Sequence, residues 1–421
     1  MIRKTSYSAV AAALTTALVL TGCSTKAADS SGGGGGAGEL KADVGVTDDT
    51  ITLGIQTDLS GAFKVGGLGA TQANEMWVEE VNAAGGICER KIEIDTQDNG
   101  YKPDNALPLY DQQKTEVLGL LQLLGSPILA ALKQKLASDN MLAATTSWAS
   151  SNLDIESPLM IGETYDVEMI NGLAWLKDEG KIADGDKIGH IYVDSEYGQN
   201  AALGVKFYAE KYNLDVTSEP IAATDSDMTA TVAKLKDAGV KAILLTTSPA
   251  ATGSIAVQNV AQGLNVPLMG NGPTFAPSLL ADQSLVEPLK QFWFVSSFAP
   301  MSADIPKAKE LLATYQKKYT DKPQPSVFQG YTAGIVWGEI LNQACEDGDM
   351  TRQGVMDARK KLTNVDTQGL TGTLDFSDPG APTTREGFVL TVDPSTADGL
   401  TIVKDLSASK DAEEYKAPYQ K

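Results

Sequence analysis

The chain has 421 residues, 42% of them hydrophobic and 21% charged, with a formal net charge of −20 at pH 7. That length exceeds one compact core and suits two domains of ordinary globular composition, while the acidity excludes nucleic acid and anionic headgroups as natural partners. The single histidine, His190, excludes multi-His metal clusters and Ser-His-Asp chemistry away from it, and its apolar setting, Ile188-Gly189-His190-Ile191-Tyr192-Val193, reads as a core strand.

The first forty residues read as an address. Arg3 and Lys4 precede an apolar run from Ala9 to Leu20, which is too short to span a bilayer and reads as a signal peptide. It ends in Leu20-Thr21-Gly22-Cys23, which resembles the bacterial lipobox, in which the cysteine becomes the lipidated first residue. Residues 1–22 are therefore expected to be removed, taking the net charge to −22 with the loss of Arg3 and Lys4. Residues 23–49, with Gly32–Gly36 unbroken, read as a tether between anchor and body. No later segment is long and apolar enough to cross a membrane.

From Thr50 onward, strand-like and helix-like segments alternate. Ile51–Asp58 is strand-like, and Ala73, Met76, Trp77, Val81 and Ala84 then fall at helical spacing before the Gly85-Gly86 stop. A strand over Lys91–Thr96, a helix over Pro103–Glu116, a buried strand over Val117–Leu124, a helix over Ile128–Ser138 and a short strand over Met141–Ala144 follow. The pattern restarts with a strand at Lys187–Val193 and a helix at Asn200–Tyr212. Next come a helix through Met228, Val232, Leu235 and Ala238 with Asp227 as N-cap, and a strand at Lys241–Thr246. A helix at Ala250–Gln262 and a strand at Val266–Met269 complete the series. Two βαβα series predict two parallel sheets flanked by helices.

In such sheets ligands bind beyond the carboxyl ends of the strands. Gly125-Ser126-Pro127 follows one strand and opens a helix, with Ser126 expected at the N-cap. That arrangement aims a hydroxyl and free N–H groups at one spot, which suits an anion. Thr145-Thr146-Ser147-Trp148 follows the next strand, and Tyr197-Gly198, Thr246-Thr247-Ser248 and Gly270-Asn271-Gly272 hold equivalent places in the second series.

Several segments together resemble the leucine/isoleucine/valine-binding family of periplasmic binding proteins. They are Leu59-Ser60-Gly61, Val81-Asn82-Ala83-Ala84-Gly85-Gly86-Ile87, Pro103-Asp104-Asn105-Ala106, Asp194-Ser195-Glu196-Tyr197-Gly198, Asp227–Lys236 and Pro325–Gly334. The resemblance runs from about Thr52 to about Val403 and implies an α/β type I periplasmic-binding-protein fold, two doubly wound parallel-sheet lobes joined by a three-segment hinge. It implies crossovers near Glu163, Ser296 and Phe376, so that residues 50–163 and 297–376 form lobe 1, and 164–296 with 377–421 form lobe 2. It further implies that Ser126 and the Ser147, Trp148 and Ala149 loop hold a ligand carboxylate while Tyr197 covers it from the other lobe, with Ser248 and Gly272 nearby. The family's glutamate for a ligand ammonium would fall near Gly272, where this sequence has no acid. Either Asp58, Glu163, Asp166 or Asp194 takes over, or the ligand carries no ammonium.

The expected function is that of an extracytoplasmic solute-binding lipoprotein of an ABC importer, anchored by lipid to the outer face of the bacterial cytoplasmic membrane. It would bind a small amino acid, amide or carboxylate and deliver it to a permease, with no cofactor, no metal and no catalytic residues. A ligand sensor of the same fold is the alternative, and a secreted hydrolase is the remote one. Asp95–Gly100 hints at a calcium loop but lacks the twelfth-position glutamate, so it reads as a strand end and turn. Once Cys23 is lipidated, Cys88 and Cys345 remain in an oxidising compartment, the latter ending a helix over Tyr331–Ala344 that by resemblance packs back on the first lobe, and they are expected to form a disulfide.

Substituting Cys23→Ala should move the protein into the medium or the soluble fraction, or leave it unprocessed, when cells are fractionated. Recovery of a mature, correctly cleaved variant with the membranes would contradict the anchor.

Overall fold

The computed structural model describes residues 40–378 and 380–421; the signal segment, the start of the tether and Cys23 lie outside the described residues. The chain enters through β1 (Lys41–Ala42), and Lys41 pairs with Asp349 of β12 (Asp349–Met350). Residues 41–49, expected as the end of the tether, are tied to the body. Besides the strand pairing, Arg90 Nε donates to the Thr47 carbonyl at 2.6 Å.

The first series builds β2 (Thr50–Thr57), α1 (Lys64–Ala83), β3 (Lys91–Asp98), α2 (Pro103–Gln113), β4 (Gly119–Leu123), α3 (Ser126–Ser138), β5 (Ala143–Thr145) and β6 (Pro158–Met160). The five strands form one parallel sheet in the order β3-β2-β4-β5-β6. Ile51, Leu53 and Ile55 of β2 are fully buried, as expected of a parallel strand covered on both faces by crossover helices.

The second series runs α4 (Tyr165–Asp178), β7 (Lys187–Val193), α5 (Glu196–Tyr212), β8 (Asp215–Ile221), α6 (Thr229–Ala238), β9 (Ala242–Thr246), α7 (Pro249–Ala261), β10 (Leu268–Gly270), α8 (Gln283–Val286) and β11 (Phe292–Ser296). The chain then returns to the first sheet with α9 (Pro306–Lys318), α10 (Ser326–Glu346), β12 and α11 (Arg352–Arg359). Asn74 Nδ2 of α1 donates to the Gly330 carbonyl of α10 at 2.8 Å, and the Trp337 indole of α10 donates to the Leu120 carbonyl of β4 at 3.1 Å. Finally β13 (Gly387–Val392), β14 (Leu400–Ser407) and α12 (Lys410–Glu414) go back to the second sheet.

That second sheet has seven strands in the order β14-β13-β11-β10-β9-β7-β8. It departs from the all-parallel expectation, because β13 runs antiparallel to β11 and to β14. The β13–β14 hairpin adds to the sheet edge without a crossover helix, so no βαβ alternation announces it. The opposite edge, β8, has mostly polar residues and contains Pro220, which an edge position tolerates.

Local chemistry accounts for the other differences. The helix after Asp227 is capped at Met228, one residue later than expected, while the Asp227 carboxylate accepts from the Thr229 N–H at 3.0 Å. His190 is fully buried and its Nε2 shares a hydrogen bond with the Thr246 hydroxyl at 3.0 Å. Asp95–Asp98 ends β3, and Asp98 accepts from the N–H groups of Leu59 and Gly100.

Cys88, in the turn after α1, is disulfide-bonded to Cys345 in the last turn of α10, with the Cα atoms 5.8 Å apart and the two residues 257 positions apart in sequence. The bond fastens the turn after α1 to the end of α10, two helices that pack against each other. Replacing both cysteines by serine should lower unfolding stability in denaturant titrations by roughly 2–4 kcal/mol. An unchanged midpoint would show that the cross-link does not restrain the unfolded chain as argued.

Candidate ligand-binding site

A cavity of about 560 Å³ opens between the carboxyl ends of the two sets of strands. Most of the walls follow strand ends, and Gln324, Pro325, Ser326 and Gln329 at the start of α10 complete them. Phe63 comes after β2, Gly125 and Ser126 after β4, Trp148 after β5, Tyr197 after β7, Ser248 after β9 and Gly272 after β10. This is where the fringe of a doubly wound sheet leaves backbone groups and loop side chains free for a ligand.

The polar end is built around Ser126. Gly125 caps α3 with φ 116°, a conformation costly for any residue with a side chain, and a Cβ there would meet Ile128 and the Tyr101 ring at 2.9 and 3.0 Å. Ser126 therefore begins the helix rather than capping it, and its hydroxyl faces the cavity. Pro127 occupies the first turn, where its missing N–H costs no intrahelical bond, and the remaining N–H groups there have no acceptor within the helix. Ser147 does not line the cavity. Its hydroxyl donates to Ser126 Oγ at 2.7 Å, which holds Ser126 at the cavity wall. The Ser147 N–H is in turn held by Thr145 Oγ1 at 2.9 Å, and the Trp148 indole donates to the Thr145 carbonyl at 2.8 Å. Ala149 is fully buried and also stands outside the lining.

Tyr197, Ser248 and Gly272 line the same cavity. Tyr197 lines the cavity, with its ring edge-on to Tyr165 at 4.8 Å and its hydroxyl donating to Asn271 Oδ1 at 2.7 Å. That hydrogen bond fixes the ring and leaves an apolar face toward the ligand. Ser248 caps α7 by accepting from the Ala251 N–H at 3.4 Å. Gly272 opens the short turn after β10.

Sequence reasoning missed the apolar walls. Phe63 and Tyr101 pair at 4.6 Å, Trp148 lies 5.6 Å from Phe298, and Phe275 and Leu279 close the far side. Apart from Trp148, these residues sit in loops or short turns without periodicity, so no pattern singled them out. No lining residue is Asp, Glu, Lys, Arg or His.

None of the four acids considered as counter-charges reaches the cavity. The Asp58 carboxylate accepts from the N–H groups of Ser60, Gly61 and Phe63 and shapes that loop. Asp166 accepts from Ser150 at 2.5 Å and from Tyr415 at 2.9 Å. Glu163 is buried between strand crossovers, and Asp194 is exposed beyond β7. The acid nearest Gly272 is Glu168 of α4, whose Oε1 would lie 3.5 Å from a Cβ placed on that glycine. It is fully buried, and burial, reinforced by the nearby Glu163, pushes its carboxyl well above the ordinary carboxylate range. Glu168 stands behind Gly272 and is not itself part of the cavity lining. Its one signal in the sequence is an acid inside the mostly apolar stretch Val167–Leu176.

Residues 50–399 match the family model described as periplasmic binding protein. Among solved structures, the fatty acid ABC transporter substrate-binding protein from Thermomonospora curvata superposes with a TM-score of 0.87 at 38% identity, covering 90% of this chain and 97% of that one. A branched chain amino acid ABC transporter protein from Thermus thermophilus with bound valine gives a TM-score of 0.77 at 15% identity, covering 88% and 99%. A possible leucine/isoleucine/valine-binding protein from Rhodopirellula baltica SH 1 gives 0.74 at 15% identity, covering 87% and 97%. No curated protein sequence matches.

Proposed function

The chain belongs to the periplasmic binding protein family, and from that premise we propose that it captures an aliphatic carboxylate outside the cytoplasm and delivers it to an ABC importer. The reading is of a binding protein without catalysis. Cys23 is its lipid anchor, and the halves carrying the two sheets, joined near Glu163, Ser296 and Phe376, are lobes that close over the ligand.

The observation that carries the ligand class is an uncharged cavity with one polar end. At that end Ser126 lines the cavity beside the opening turn of α3, whose N–H groups lack acceptors within the helix, an arrangement that favours an anion through hydrogen bonds and the helix dipole. Elsewhere the walls are mainly aromatic and aliphatic, with Thr224, Ser248, Gln324 and Gln329 among them, and suit an alkyl chain. A ligand ammonium would be buried without a counter-charge, at a cost of several kcal/mol. Of the amino acid, amide and carboxylate first considered, the carboxylate fits best. The Thermomonospora curvata protein, whose described ligand class is fatty acids, supports the same choice.

Titration calorimetry with saturated monocarboxylates should show affinity rising about fourfold per methylene, from about 0.8 kcal/mol each, until the cavity is filled. Ser126→Ala should weaken binding by about 1.5–3 kcal/mol, as for a hydrogen bond to a charged group. Leucine should bind more weakly than its des-amino counterpart 4-methylpentanoate. Tighter binding of leucine would overturn the assignment.

A further inference from the structure

Three phenols line the cavity, those of Tyr101, Tyr165 and Tyr197. Two of them give their protons to the protein: Tyr165 Oη donates to the Thr146 carbonyl at 3.3 Å, and Tyr197 Oη donates to Asn271 Oδ1 at 2.7 Å. Among the described residues, the Tyr101 hydroxyl makes no hydrogen bond to the protein. Its place is set by the ring. A Cβ on Gly125 would meet Tyr101 Cε2 at 3.0 Å and Cδ2 at 3.1 Å, so that edge of the ring lies along Gly125. The hydroxyl is carried on Cζ, the carbon bonded to Cε2, and therefore stands beside the residue that leads into Ser126 and α3. Phe63 packs on the same ring, with centroids 4.6 Å apart.

The backbone holds this ring under strain. Gly100 and Tyr101 both take the left-handed conformation, with φ 58° and 60°, in a tight turn closed by the Lys102 N–H donating to the Asn99 carbonyl at 3.1 Å. Glycine adopts that conformation freely, whereas a tyrosine there persists only where its surroundings over-determine it, a condition met most often at ligand sites. Asn99 supplies the restraint. It is fully buried, its N–H donates to the Thr57 carbonyl at the end of β2 at 2.8 Å, and its Oδ1 accepts from the Tyr101 N–H at 2.8 Å. Burial, with Tyr165 and Asp58 nearby, pushes the Tyr101 phenol well above its ordinary range, so it keeps its proton and remains a donor. The Asp58 carboxylate is itself occupied by the N–H groups of Ser60, Gly61 and Phe63.

Taking the carboxylate reading of the cavity as premise, we propose that the Tyr101 hydroxyl is a further donor to the ligand's carboxylate, beside Ser126, and that it selects an anionic head over a neutral one. A carboxylate accepts several hydrogen bonds through its two oxygens, more than the Ser126 side of the cavity alone would fill. Hydrogen bonds to a charged acceptor are roughly twice as strong as those to a neutral one. A phenol set in an apolar wall therefore discriminates by charge, while its ring continues to serve as wall for the chain.

Tyr101→Phe keeps the ring and its packing and removes only the donor. Titration calorimetry of the full-length protein with octanoate and decanoate, and with 1-octanol and 1-decanol, reads the consequence. Both acids should bind the variant more weakly than wild type by about tenfold or more, and the alcohols should lose less. The thermal midpoint without ligand should stay where it is, because the hydroxyl ties nothing in the protein. Equal affinity of the acids for the two proteins, or losses of the same size for acids and alcohols, would make Tyr101 an apolar wall alone. A lowered ligand-free midpoint, or a variant that does not fold, would make its hydroxyl a structural bond. Each of these results overturns the role given to Tyr101 and leaves the carboxylate assignment standing, whereas a wild type that binds neither acid overturns both.

Discussion

Enclosing an organic anion strips its hydration, and the walls must replace what water supplied. Here no charged side chain lines the cavity. On the proposed reading the replacement is Ser126 with the opening turn of α3, and Ser126 is held by a relay of neutral hydrogen bonds through Ser147 and Thr145. Much of the local structure serves that arrangement. Gly125 takes a positive φ so that the helix can begin facing the cavity, β4 and β5 end beside each other so that two loops converge, and Asp58 spends its carboxylate on shaping the Ser60–Phe63 loop. The acids are set behind the walls, not on them.

Much of this was legible in the sequence because strand ends announce themselves. An apolar run followed by Gly, Ser, Thr or Pro marks both the end of a buried strand and the loop that faces a ligand. Ser126, Trp148, Tyr197, Ser248 and Gly272 were found in that way, and all five line the cavity. The same logic over-reached by one step at Ser147 and Ala149, which stand behind the lining rather than in it. A pattern can place a loop at a site, but one-residue rotation within the loop decides which side chain faces inward.

What was illegible lacked either period or contrast. The β13–β14 hairpin pairs antiparallel after a long return from the first sheet, so no helix separates its strands to mark a βαβ unit. Phe275 and Leu279 lie in short turns. Glu168 occupies a helix buried on nearly every side, where amphipathic spacing gives no face to compare. Its position behind Gly272 is a tertiary fact, produced when α4 packs under the turn that follows β10.

The claim on which the functional account depends is that the cavity binds an anion by its neutral end and an alkyl chain by its walls. A crystal structure of the protein with a bound saturated monocarboxylate tests it most directly. The account predicts the carboxylate within hydrogen-bonding distance of Ser126 Oγ and the first turn of α3, with the chain running toward Phe275 and Leu279. A carboxylate found beside Gly272 and Glu168, with the tail at Ser126, would contradict it.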